Sequence, residues 1–138
     1  MSELDETDLL RLAARASGAG RLANPDGSAS VRNPFCGDRL KLDVRMEGDR
    51  VAEIGYEIRA CLVCQASASI MGDQHLGKTA AEIELLGEEV KAFLNAEGEA
   101  PDQYAIFEKV KPHKNRHVCV DMPFQAVREA VADANEGD

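Results

Sequence analysis

Residues 39 to 60 have the sequence RLKLDVRMEGDRVAEIGYEIRA, and its alternation decides the fold of this chain. In the first half, charged residues alternate with apolar ones, which are Leu40, Leu42, Val44 and Met46. That period of two is typical of a strand with one buried face. The second half alternates in the same way, and Glu47-Gly48-Asp49 supplies a turn between the halves. The stretch therefore predicts an antiparallel hairpin that ends immediately before Cys61.

A short helix is predicted before the hairpin. Residues 5 to 15 carry leucine and alanine at helical spacing, whereas residues 17 to 30 are rich in Gly, Ala, Ser and Asn. We therefore expect residues 1–30 to form an N-terminal helix followed by a mobile loop.

The chain after the hairpin is predicted to be mainly helical. A short helix is expected from Gln65 to Gly72, and a longer one begins at the capping box Thr79-Ala80-Ala81-Glu82 and ends near Asn95. One or two further turns are expected around Phe107. Asp121 is predicted to cap the final helix, because Pro123 would then lie in its first turn.

Length and charge limit the classes of function. The chain has 138 residues, which suits one domain over 1–138, and its net charge of −9 repels nucleic acid. It contains no apolar run of the roughly 20 residues that a membrane span needs, and its first residues do not resemble a secretory signal. We therefore expect a cytoplasmic protein with reduced thiols and no nucleic-acid or membrane partner.

Three cysteines and an aspartate form a candidate metal site. Cys36 lies two residues before Asp38, Cys61 follows the second predicted strand, and Cys119 precedes the last predicted helix. Zinc and iron sites take their donors from thiolates, imidazoles and carboxylates. Because each of these four residues is predicted to lie in a loop or at the end of an element, they can converge on one ion.

Other uses of the cysteines remain open. Cys61-Leu62-Val63-Cys64 is a Cys-x-x-Cys pair between a strand and a helix, the local setting of thioredoxin-like thiol–disulfide oxidoreductases. The antiparallel hairpin before it argues against that fold, which begins with a strand, a helix and a parallel strand. Cysteines also serve as small buried apolar residues. His75 and His113 are predicted to lie in solvent.

Four short motifs occur in the order and approximate spacing of a known family. They are Asn33-Pro34-Phe35-Cys36-Gly37-Asp38, Ala60-Cys61-Leu62-Val63-Cys64-Gln65-Ala66-Ser67-Ala68-Ser69, Gly77-Lys78, and Arg116 three residues before Cys119. Together they resemble the U-type scaffold family of iron–sulfur cluster assembly, which includes IscU, SufU and the N-terminal part of NifU. The long stretch between Lys78 and Cys119 is most similar to the SufU branch.

The resemblance implies a fold and a set of ligands. The fold would be α+β, a small antiparallel sheet packed against helices in one compact SufE/NifU-like domain. Cys36, Cys61 and Cys119 would be the three cysteine ligands, and Asp38 the nearby carboxylate. Cys64 is an additional candidate ligand or sulfur acceptor, and His117 is an additional candidate ligand.

The resemblance also implies a function. The chain would bind iron, accept sulfur at Cys119 or Cys61 from a SufS-like cysteine desulfurase, build a labile [2Fe–2S] cluster and transfer it to apo iron–sulfur proteins. Such a protein is a scaffold rather than an enzyme. The alternative within the family is a sulfur acceptor, or sulfurtransferase, that holds Zn²⁺ at the same residues.

Overall fold

The computed structural model describes residues 6–16, 18–33 and 37–136 and shows an α+β fold. The strands are β1 (Gly27–Asn33), β2 (Asp38–Glu47) and β3 (Arg50–Arg59). The α-helices are α1 (Glu6–Arg15), α2 (Leu62–Gln74), α3 (Ala80–Leu94) and α4 (His117–Glu136). Two 3-10 helices, Asp102–Val110 and Lys114–Arg116, lie between α3 and α4. None of the described helices is long and apolar enough to cross a membrane.

The three strands form one antiparallel sheet in the order β1-β2-β3. The predicted hairpin is confirmed: β2 and β3 pair with Leu42 opposite Tyr56, and Gly48 turns the chain with a positive φ of 63°. The alternating apolar side chains of β2 and β3 are buried, as the period of two predicts, except Met46 and Ile58, which are partly buried.

Strand β1 replaces part of the predicted loop. Residues 27–33 pair with β2, with Val31 opposite Leu40, so the loop expected up to residue 30 ends earlier. The prediction failed because small and polar residues hide the alternation, and only Val31 is a large apolar residue in this strand. Gly20 donates an N–H bond to the Tyr56 carbonyl at 2.8 Å, so the chain before β1 is also anchored to the sheet.

The core lies between one face of the sheet and the helices. Strands β1 and β2 pack on α4, and α2 is joined to α4 by the Ser67 hydroxyl, which donates to the Val120 carbonyl at 2.7 Å. The prediction that His75 is solvated was wrong. It ends α2 fully buried against the ring of Phe124, and burial lowers its pKa to about 3.

Helix α4 begins one turn earlier than predicted. It starts at His117 rather than after Asp121, because the 3-10 helix Lys114–Arg116 runs directly into it. Pro123 therefore lies inside the helix, where it lacks the N–H that would bond to the carbonyl of Cys119. The consequence for the site is that Cys119 lies in the first turn of a helix, not in a loop.

The other face of the sheet is partly covered by the chain before β1. There Asp43 is fully buried and accepts hydrogen bonds from Arg21 at 2.6 and 2.9 Å, from the Ser28 hydroxyl at 2.6 Å and from the Leu22 amide at 3.1 Å. These donors, Arg21 first, lower the pKa of Asp43 to about 2, against the effect of burial. The carboxylate therefore ties residues 21–22 to the sheet.

Replacing Asp43 with asparagine should make stability less dependent on pH. The pKa of Asp43 is about 2 in the folded chain against an ordinary value of 3.8, so the folded state binds fewer protons and Asp43 contributes about 2 kcal/mol above pH ~4. That contribution is lost as the pH falls through ~4 towards ~2. We expect Asp43→Asn to lower the free energy of unfolding by about 2 kcal/mol at neutral pH, with a difference from wild type that shrinks in acid.

Chemical denaturation at a series of pH values measures this difference. The control is Asp49→Asn in the exposed turn of the hairpin, which should stay within about 0.5 kcal/mol of wild type. An Asp43→Asn difference that does not change with pH would contradict the assigned role of the carboxylate.

Candidate metal centre

Three predicted ligands meet where β2, α2 and α4 begin. Asp38 is the first residue of β2, Cys61 is the N-cap of α2, and Cys119 lies in the first turn of α4. One carboxylate oxygen and the two sulfur atoms all lie within 4.8 Å of one another. Asp38, Cys61 and Cys119, which are far apart in the sequence, therefore converge as predicted.

Asp38 links the two cysteines. Its Oδ1 accepts a hydrogen bond from the backbone N–H of Cys61 at 3.2 Å, and its Oδ2 lies 3.8 Å from the sulfur of Cys119. Asp38 and Cys119 are only 5% and 2% exposed, whereas Cys61 is half-buried. The centre therefore opens to solvent on the side of Cys61.

Local backbone geometry places these side chains. The pairing of Arg39 with Arg59 aligns the start of β2 with the end of β3, so Asp38 comes beside the chain that leads into Cys61. Gly37 has a φ of 71° and donates its N–H to the carbonyl of Asn33 at 2.9 Å. Because glycine adopts this conformation at little cost, Gly37 allows the sharp entry into β2.

The two thiols share one hydrogen-bonding environment. The pKa of Cys61 is lowered to about 6, first by the neighbouring Cys119 thiol and then by the backbone N–H groups of Cys64 and Val63, all of which favour the thiolate. Burial and the charge of Asp38 oppose this shift. The pKa of Cys119 is raised by the neighbouring Cys61 sulfur, by burial and by the nearby negative charges. One thiolate therefore forms readily, on Cys61 at the start of α2.

The donors fit a thiophilic metal. Zinc binds thiolate sulfur at about 2.3 Å and carboxylate oxygen at about 2.0–2.2 Å in a tetrahedron, so two donors on one ion lie about 3.6–3.8 Å apart. The three donor atoms lie within 4.8 Å of one another, so a side-chain movement of about 1 Å would bring them onto one ion. The two sulfur atoms favour zinc or an iron–sulfur cluster over magnesium or calcium. When such a metal binds, it would displace the remaining proton of the thiol pair.

Two of the other predicted ligands, Cys64 and His117, are described, and neither belongs to this group. Cys36 lies outside the described residues, so its assignment stays a prediction. Cys64 is fully buried in the first turn of α2, and its sulfur does not belong to the described group of close donor atoms. The Nε2 atom of His117 lies 2.9 Å from the carbonyl oxygen of Lys111. Since His117 and Cys119 are two residues apart on a helix, their side chains point in different directions.

Sequence reasoning missed the link from Asp38 to the backbone of Cys61. Motif spacing placed Asp38 near the thiols but gave no information on its bond to the N-cap residue of α2. Such a contact is indicated when a carboxylate begins one strand and a cysteine follows the end of the neighbouring strand.

Comparison with known proteins identifies similar chains. A family model described as NifU-like N terminal domain matches residues 9–136. The iron–sulfur cluster assembly scaffold protein IscU of Streptococcus pyogenes serotype M1 is 27% identical over 112 residues, which cover 77% of this chain and 70% of that protein. The zinc-dependent sulfurtransferase SufU of Bacillus subtilis strain 168 is 40% identical over 48 residues, which cover 35% of this chain and 33% of that protein.

A solved structure has the same fold. It is the crystal structure of the N-terminal part of a nitrogen-fixing NifU-like protein from Brucella abortus, with a TM-score of 0.88 and 28% sequence identity. The superposition covers 98% of this chain and 96% of that one. The likeness therefore extends over the whole arrangement of sheet and helices.

Proposed function

Because the chain belongs to the family of NifU-like N-terminal domains, we propose that it is a scaffold on which an iron–sulfur cluster is assembled. The observation that carries the proposal is the convergence of Asp38, Cys61 and Cys119 within 4.8 Å. The streptococcal relative is named an iron–sulfur cluster assembly scaffold protein, which supports the same role here.

Such a protein holds the cluster as cargo, so its ligands must be able to release the cluster. Cys61 and Cys119, with Cys36 next to the Gly37 turn, supply thiolates, which bind iron firmly. Asp38 supplies a hard oxygen donor that suits a soft cluster less well than a fourth thiolate. A [2Fe–2S] cluster held by three cysteines and Asp38 would therefore dissociate more easily than one held by four cysteines.

Sulfur would arrive on a thiol of the centre from a SufS-like cysteine desulfurase. The half-exposed Cys61 is more accessible to a donor than the buried Cys119. Its thiolate attacks the terminal sulfur of the donor persulfide, so a new S–S bond forms at Cys61 while the donor S–S bond breaks. The donor leaves as a thiolate and the terminal sulfur keeps its proton, so no external oxidant or reductant is needed.

A zinc-bound sulfur acceptor is the second candidate function. It is favoured by the matching 48-residue segment of a relative named a zinc-dependent sulfurtransferase. The same thiolates and carboxylate would hold Zn²⁺, since zinc and iron–sulfur sites use the same soft donors. In that case the chain would carry sulfur without assembling a cluster.

Metal and sulfide analysis distinguishes the two functions. The protein is purified without oxygen and without added metal, and iron, zinc and acid-labile sulfide are measured together with the visible absorption spectrum. We expect iron and sulfide in comparable amounts and a brown chromophore. One zinc per chain without sulfide would support the sulfur acceptor instead. Absence of any metal, together with a redox-active disulfide between Cys61 and Cys64, would contradict both functions and favour a thiol oxidoreductase.

A further inference from the structure

Three arginines form a row across the exposed face of the sheet. Strand pairing places Arg32 of β1 opposite Arg39 of β2, and Arg39 opposite Arg59 of β3. Directly paired residues point to the same side of a sheet, and all three side chains are exposed. Lys41, two residues along β2, adds a fourth positive charge on this face. These four residues are called the arginine row below.

Pairing within the sheet does not stabilise the three arginines of the row, whereas Lys41 lies directly opposite Glu57 of β3. Like charges placed directly opposite on neighbouring strands destabilise a sheet. None of the described salt bridges involves a residue of the row, although six other basic residues pair with acidic side chains, namely Arg15, Arg21, Arg45, Arg50, Lys91 and Lys111. The chain as a whole carries a net charge of −9. Four basic side chains on one face of so acidic a protein therefore indicate a binding surface.

The row lies at the end of the sheet that carries the metal centre, although the successive residues Asp38 and Arg39 point to opposite faces of β2. Arg39 follows the ligand Asp38 directly, and Arg59 is two residues before the ligand Cys61. A groove of about 410 Å³, lined by Arg39, Lys41, Glu57, Ile58 and Arg59, lies at this end of the face. Residues 21–22 cover the middle of this face, over Asp43 and Gly55. The end next to the centre is left open.

We propose that the arginine row is the docking surface for an acidic segment of a protein that exchanges sulfur or a cluster with the metal centre. The proposal rests on the proposed function, because it is that exchange which brings a partner to the centre. A partner that contacts Cys61 would reach the row at the same time, and its carboxylates would pair with the guanidinium groups.

The dimensions and charge of the surface favour a protein segment over other anions. Neighbouring strands are about 4.8 Å apart, so the three arginines span about 10 Å and match carboxylates spaced along a chain better than one small anion. Nucleic acid is disfavoured, because Glu57 lies within the groove and the rest of the protein repels phosphates.

The test uses a short fluorescein-labelled polyglutamate peptide as the probe. Its binding to the purified protein is followed by fluorescence anisotropy at low and at physiological ionic strength. The variant is R32E/R59E, and the control is K109E/K114E, which changes the net charge equally at exposed lysines outside the described salt bridges. We expect the row variant to weaken binding by about tenfold or more and the control to change it little.

Three outcomes would overturn the proposal. The first is absence of peptide binding by the wild type, and the second is equal weakening by both double variants, which would show an effect of net charge alone. The third is displacement of the peptide by tripolyphosphate or by single-stranded DNA at lower concentrations than unlabelled polyglutamate. Metal and sulfide content is measured on each sample. If only the docking proposal fails, the samples still contain iron and sulfide. If the proposed function fails, iron and sulfide are missing from the samples.

Discussion

Replacing Cys61 with serine should abolish stoichiometric binding of metal and sulfide. Cys61 provides one of the two sulfur atoms in the described donor group and is the candidate ligand that the N-terminus of α2 stabilises as a thiolate. A serine hydroxyl is not deprotonated at neutral pH and is a poor donor for a soft metal. We expect zinc affinity to fall by about 100-fold or more, measured by competition with a chromophoric chelator under anaerobic conditions.

The matched control is Cys64→Ala, one turn further along the same helix. Cys64 is fully buried and outside the described donor group, so its removal should cost about 1 kcal/mol of stability and leave metal stoichiometry unchanged. If Cys64→Ala lost metal as completely as Cys61→Ser, the hypothesis that Cys64 is an additional ligand would be supported. If Cys61→Ser kept its metal, the centre described by Asp38, Cys61 and Cys119 would be wrong.

The sequence predicted the parts of the site that depend on local chemistry. The strands of the hairpin have alternating residues, and the Thr79 capping box marks the start of α3 in the structure as in the sequence. The alternation and the capping box are both set by residues that are close together in the sequence. The convergence of Asp38 with Cys61 then follows from the hairpin, because its register joins the first strand's beginning to the second strand's end.

The parts that failed depend on contacts distant in sequence. Strand β1 is stabilised by β2 and α4 rather than by its own small residues. The start of α4 could not be predicted, because Pro123 is typical of a first helical turn but lies in the seventh position here. His75 is polar in sequence and buried in the fold, which only its packing on Phe124 reveals. The alignment of Arg32 with Arg39 likewise could not be predicted, because it depends on the register of β1 against β2.

The two cysteines of the centre differ in exposure to solvent and therefore in the reactions open to them. The buried Cys119 and Asp38 form its floor, and the half-exposed Cys61 forms its rim. On the proposed function, the buried floor would hold two donors in place while the exposed rim residue reacts with a partner. Since α4 carries Cys119 and β2 carries Asp38, the geometry of the floor depends on how α4 packs on the sheet.

Gly27→Ala should break that packing and give the largest loss of stability. Gly27 begins β1 where α4 crosses closest, and a Cβ there would overlap the carbonyl oxygen of Ala130 and lie 2.5 Å from the backbone nitrogen of Ala134. Backbone atoms of a helix cannot move aside as a flexible side chain can, so α4 must shift as a whole. We expect a loss of about 3 kcal/mol, or about 10 °C in melting temperature, measured by calorimetry.

The matched control is Gly98→Ala, where the nearest atom to a new Cβ is the side chain of Ala92 at an ordinary 3.8 Å. Its stability should stay within about 1 kcal/mol of wild type. Because α4 carries Cys119, Gly27→Ala should also weaken zinc binding in the chelator assay although it changes no ligand. A variant that lost stability but kept full zinc affinity would show that the first turn of α4 is held by the Ser67 bond to Val120 and not by the contact with β1.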